Sequence, residues 1–202
     1  MSAGTRAPFG KALRRSALFI LHSALALSAL AGPKDDLLTG AAGQIGQTVS
    51  YVADYVVLPY PGGDVPISGG VCTDVVIRAF RKAGIDLQKD VHEDMKRSFP
   101  AYPKLWGLAK PDTNIDHRRV PNLMEYFKRR GKQLPVTREP ADYQPGDIVA
   151  WRIPDGRPHI GLVAPAPGSD PQRRQIIHNI GHGARQEDRL FDFEIIGHYR
   201  YW

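Results

Sequence analysis

The sequence predicts an α+β domain, with helices first and a small antiparallel sheet after them. Two observations predict it. Apolar residues recur at helical spacing through the first part of the chain, and the C-terminal third changes to short β-like runs separated by turn-rich segments. Segregated helices and strands point to α+β architecture rather than to alternating βαβ units. A length of 202 residues suits one domain with a short extension, and it supports a core without disulfide or metal staples. Hydrophobic residues at 42% and charged residues at 24% are ordinary for a globular chain and argue against global disorder. A single cysteine excludes an internal disulfide, a disulfide scaffold and a Cys-rich zinc ribbon.

The first 31 residues read as a secretory signal peptide. Arg6, Lys11, Arg14 and Arg15 form a positive leader without an acidic residue. The apolar run Ala17 to Leu30 follows, and Ala29-Leu30-Ala31 before Gly32 is a small-x-small cleavage site. An uncleaved anchor is the alternative, but the run is short for a spanning helix of ~20 residues. Arg14-Arg15 also suggests a twin-arginine signal, although its flanks match poorly. Without the leader, 23 basic residues face 21 acidic ones, and the formal charge falls from +6 to +2. A nucleic-acid partner therefore loses its main support. Residues 32–202 are expected to form one domain with a core of about 56–202, exported, most simply to a Gram-negative periplasm. An unpaired cysteine there must be buried or used.

Asp35 to Tyr55 reads as the first helix, with Leu37, Leu38, Ala41, Ala42, Ile45, Val49 and Val52 at helical spacing. Leu58 to Gly70 holds three prolines and four glycines, a shaped loop. A second helix spans about Val71 to Ala83, ended by Gly84, and a third about Val91 to Phe99. Pro100 to Val120 reads as a long ordered loop. Pro121 and Gly131 frame a fourth helix with Leu123, Met124 and Phe127 inward. Strands follow at Asp147–Arg152, His159–Val163, Gln175–Asn179 and Ile195–Tyr201, with turns between them, including Gly181 to Asp188.

Cys72 opens the second helix directly after Gly69-Gly70. The N–H groups and dipole at a helix start favour a thiolate, so a lowered thiol pKa is expected there. The same groups suit an oxyanion, and the glycines admit a substrate close to the backbone. A thiolate nucleophile needs a base that returns the proton to the leaving amine, and histidine titrates in the right range. His159 and His178 lie in strands. His92, His117, His182 and His198 lie elsewhere, and spacing alone does not choose among them. No His-Glu-x-x-His spacing occurs, so neither a metal nor another cofactor is expected.

The succession Tyr60-Pro-Gly62-Gly63, Cys72-Thr-Asp74, Pro145-Gly146-Asp147, His159-Ile-Gly161 and then His178 resembles the NlpC/P60 papain-like cysteine peptidases, which cleave cell-wall stem peptides. More narrowly, GVCTDVVIRAFRKAGIDLQ, VHEDM, NIDHRRVPNL, PGDIV, HIG, IIHNIG and GHYRY resemble the DUF1287 family. The resemblance implies a papain-like NlpC/P60-type fold, with N-terminal helices packed on the sheet. It implies Cys72 as nucleophile, His159 as general base and later acid, and His178 as the group that orients His159. Asn179 is the alternative third residue, and strand alternation lets only one of the two face the site. Tyr60 is expected to place a hydroxyl near the oxyanion or the substrate carbonyl. Where the family has Cys-Ser-Gly, this chain has Cys72-Thr73-Asp74, and Asp74 either binds a substrate amine or supports the helix start. Arg118 either holds a substrate carboxylate or joins an ion-pair network with Asp112, Asp116 or Glu93.

The expected function is an exported cysteine amidase or endopeptidase acting on peptidoglycan stem peptides. The membrane is met only transiently, through the leader. Two alternatives stand beside it: a non-catalytic wall-binding or scaffold module on the same fold, and a thiol acyl hydrolase or transferase with a non-peptide substrate.

Overall fold

A computed structural model describes Met1, Ala3, Gly4 and residues 32–202. The leader, its cleavage site and the proposed signal peptide lie outside the described residues. Residues 32–202 belong to one compact unit. Its elements in order are α1 (Pro33–Ala42), α2 (Cys72–Lys82), α3 (Leu87–Ser98), α4 (Val120–Arg129), β1 (Gln133–Leu134), β2 (Ile148–Arg152), β3 (Pro158–Pro167), β4 (Arg174–His178), β5 (Arg185–Glu187) and β6 (Glu194–Tyr199). Single 3-10 turns occur at Phe99–Ala101, Asp116–Arg118 and Pro140–Asp142. The expected α+β class holds. No described helix is long and apolar enough to cross a membrane.

The helices start and stop where their end chemistry dictates. Asp74 closes the first turn of α2 by accepting the Val71 N–H at 2.7 Å, and Arg81 and Lys82 face the negative end of the helix. Gly84 then turns the chain at φ 81°. Asp86 caps α3, accepting from the N–H groups of Gln88 and Lys89, so this helix begins at Leu87 rather than near Val91. Pro121 sits in the first turn of α4.

The expected helix from Asp35 to Tyr55 is shorter than its periodicity suggests. It ends at Ala42, turns through Gly43 and Gly46, and continues without regular structure to Tyr60. Ile45, Val49 and Val52 are exposed, so no buried stripe supports a longer helix. The segment from residue 48 instead lies between two loops. Val49 N–H donates to Ser68 O and Val52 N–H to Gly70 O, while Ala184 N–H donates to Thr48 O.

The sheet is six-stranded and antiparallel, in the order β1-β6-β2-β3-β4-β5. One face carries Ile148, Ala150, Ile160, Leu162 and Ile177 onto the helices, against Leu37, Val75, Val76, Phe80, Leu123 and Phe127. The other face carries Val149, Trp151, Val163 and Ile176 into a smaller cluster with Tyr143 and Leu190. β1 and β5 were not anticipated. β1 is two residues long, and β5 lies within a stretch read as turns.

Candidate functional site

Cys72 is the first residue of α2, and its side chain is buried. Around the sulfur are the backbone N–H groups of Ile160 and Thr73 and the hydroxyl of Tyr51. The thiol thus meets the start of β3 at the residue that follows His159. The expected lowering of its pKa does not occur. Burial pushes the thiol up to about 11, and the neighbouring Asp74 adds to the rise. The two N–H groups and the Tyr51 hydroxyl offset only part of it.

His159 pairs with Trp151 across β2 and β3, and the indole ring lies tilted against the imidazole at 5.8 Å. The indole N–H is anchored on Leu190 O at 2.9 Å, so the surface behind His159 is fixed. Strand alternation places His159 and Gly161 on the face that also carries His178 at the end of β4. Nε2 of His159 lies 2.8 Å from Nδ1 of His178. Gly161 makes this approach possible, because a Cβ there would lie 2.9 Å from both His178 Cβ and Ile177 O. His178 Nε2 in turn lies 2.8 Å from Glu187 Oε2 on β5. Burial, reinforced by His178 and Arg189, lowers His159 to about 3. Burial also lowers His178, against the opposing pull of Glu187. At neutral pH the thiol and both imidazoles therefore rest uncharged.

Two adjoining cavities open here. One, of about 220 Å³, is lined by Cys72, Tyr51, Val71, Trp106, Arg119 and Pro158, among others. The second, of about 160 Å³, is lined by His159, Tyr51, Pro158, Arg157, Ile180 and Gly181. Tyr51 and Pro158 border both, so the thiol side and the imidazole side share one wall.

The other expected residues fall as follows. Tyr60 is exposed and packs edge-on against His92 at 5.2 Å. The tyrosine beside the thiol is Tyr51, reached through the backbone bonds that tie residues 48–52 to the loop before Cys72. Asp74 and Arg118 are buried against each other, with Nε and Nη2 of Arg118 each 3.0 Å from a carboxylate oxygen. Arg118 also donates to Asp54 O and Val52 O. Neither side chain is free for a substrate charge, and the partner of Arg118 is none of the acids expected for it. Asn179 points away from the histidines and donates to Ser50 O and Gly70 O, holding the Tyr51 segment against the glycine loop. Of the two candidates for third residue, His178 is the one that touches His159.

Sequence reading missed Tyr51 and Glu187. Tyr51 lies in a segment taken for helix, and Glu187 in one taken for turns. The only local signal for Glu187 was an acid a few residues beyond a strand histidine.

The family model described as "Domain of unknown function (DUF1287)" matches residues 38–201. A protein of Escherichia coli (strain K12) named "Uncharacterized protein YijF" is 55% identical over 163 residues, 81% of this chain and 79% of that protein. The chain belongs to the DUF1287 family.

Proposed function

We propose that this protein is an exported papain-like cysteine amidase or endopeptidase, of NlpC/P60 type, that hydrolyses amide bonds in peptidoglycan stem peptides. The observation that carries the reading is a cysteine at a helix start whose thiol meets the backbone N–H of Ile160, with the buried His159 one residue earlier on β3 and His178 within hydrogen-bonding distance of that imidazole. The order of these residues matches the resemblance drawn from the sequence, and the basic, then apolar leader supports export.

In this reading, a substrate amide enters beside Tyr51 and Pro158. The His159 imidazole takes the thiol proton as sulfur attacks the carbonyl carbon. Transfer is coupled to attack, because the resting thiol and imidazole are both neutral. N–H groups of the first turn of α2 and the Tyr51 hydroxyl stabilise the oxyanion. Collapse expels the amine, which takes its proton from His159, and leaves an acyl-cysteine. Water, deprotonated by the same imidazole, then releases the acid and restores the thiol.

The test is digestion of muropeptides followed by mass spectrometry. Wild type is expected to release products that Cys72→Ala and His159→Ala do not. Identical products from wild type and Cys72→Ala overturn the reading. Wall binding without turnover favours the scaffold alternative, and turnover confined to ester substrates favours the acyl hydrolase.

A further inference from the structure

His178 has a partner of its own, and that contact decides which nitrogens carry protons. On the edge strand, Glu187 pairs with Ile176 and Arg185 pairs with His178. His178 is therefore the diagonal neighbour of Glu187 on one face, within reach of a long side chain. Two contacts of 2.8 Å follow in line: Glu187 Oε2 to His178 Nε2, and His178 Nδ1 to His159 Nε2.

A carboxylate oxygen only accepts, so the proton of the first contact sits on His178 Nε2. A neutral imidazole has one N–H, so His178 Nδ1 is then an acceptor. The proton of the second contact consequently sits on His159 Nε2, and His159 Nδ1 keeps its lone pair. The other neutral tautomer of His178 would set a bare nitrogen against a carboxylate oxygen with no proton between them. A doubly protonated His178 would donate in both directions and move the His159 proton to Nδ1. Burial disfavours that form at neutral pH, and Arg189 and Asp192 act on the ring with opposite signs.

We propose that Glu187 is a positioning residue that acts through His178 to hold His159 in the tautomer whose free base is Nδ1. The proposal rests on the reading of His159 as the general base and extends it to a fourth side chain. Glu187 neither meets the substrate nor moves a proton. It removes the ambiguity that two adjacent imidazoles would otherwise have.

The experiment is long-range proton–nitrogen correlation NMR at neutral pH on protein carrying nitrogen-15 histidine, with each ring assigned by substitution. In wild type, His159 and His178 are both expected in the Nε2–H tautomer. Glu187→Leu should lose the single tautomer at both rings. Glu187→Gln, whose carbonyl oxygen still accepts, should keep it. Glu187→Ala serves in place of the leucine variant if that variant does not fold. The proposal is overturned if wild-type His159 carries its proton on Nδ1. It is equally overturned if removal of the acceptor leaves both rings unchanged, or if the glutamine variant is as mixed as the leucine one. None of these readings depends on turnover. Wild-type rings in the stated tautomers, without any amide hydrolysis, would refute the peptidase reading and leave the Glu187 assignment standing.

Discussion

A thiol in the first turn of a helix gains up to about 2 kcal/mol from the dipole and the free N–H groups when it is partly buried. Withdrawing the thiolate from water costs several kcal/mol, which is the larger effect. Cys72 is buried, and its pKa rises to about 11 in spite of its position. Alkylation by a neutral haloacetamide, followed by mass spectrometry, should therefore be slow at neutral pH and climb toward pH about 11. A plateau below the ordinary thiol value of 9.0 would contradict this. Tyr51 offers a second test at the same atom. Its hydroxyl favours the thiolate, while the ring helps enclose the cavity. Tyr51→Phe keeps the ring and removes the hydroxyl, so the alkylation profile should move to still higher pH. A profile shifted to lower pH would mean that the hydroxyl does not stabilise the thiolate.

The start of α2 depends on a buried ion pair. Asp74 caps the helix and receives both Arg118 bonds, and the two side chains are 4% and 2% exposed. Breaking such a pair leaves an uncompensated buried charge and costs about 3–5 kcal/mol. Arg118→Met should lose about that much in a denaturant titration, and Asp74→Asn with Arg118→Met together should lose less than the two single losses added. Strictly additive losses would show that the two act independently. Between β3 and β4, Gly161→Ala should cost about 1–3 kcal/mol, because its Cβ meets His178 and the Ile177 carbonyl with nowhere to move. These elements also mark what was legible in the sequence. α2 and α4 were readable because apolar residues recur at helical spacing in each, although only α4 buries a stripe while α2 is buried continuously from Cys72 to Phe80, and β2 to β4 because short apolar runs stand between turns. Cys72 was readable from the glycines before it, whereas His159 was singled out among the histidines only by the family resemblance. The segment after Ala42 was not, because Ile45, Val49 and Val52 match helical spacing yet face solvent, and periodicity cannot report burial. Tyr51 owes its place to backbone bonds between its segment and later loops, for which the local sequence carries no sign, and Glu187 to the pairing of β4 with β5, which only an acid beyond a strand histidine hints at.

Across the whole molecule, buried titratable groups set how the fold responds to acid. His117 is buried in the 3-10 turn before α4, and burial, with Arg118 adding to it, lowers it to about 4. His159 falls to about 3, and His178 is lowered as well. A histidine whose folded pKa is depressed is protonated more readily in the unfolded chain. Between the ordinary value of 6.5 and these lowered values the unfolded state binds more protons, so stability falls as pH falls. Asp147 opens a second, more acidic window. Burial would raise it, but His198 and Arg200 outweigh burial and hold it below the usual 3.8. Its contribution is present above the unfolded carboxylate value and is lost only as pH drops through the lower folded one. The first loss on acidification therefore belongs to the histidines, on the order of 3 kcal/mol for His117 alone by pH 4. Urea titrations from pH 7 downward should show stability declining from about pH 6.5, well before carboxylates protonate. In His117→Gln that decline should be shallower, while the steeper loss below the carboxylate range remains. An unchanged slope between pH 6.5 and pH 4 in that variant would remove His117 from the account and assign the sensitivity to the pair at His159 and His178.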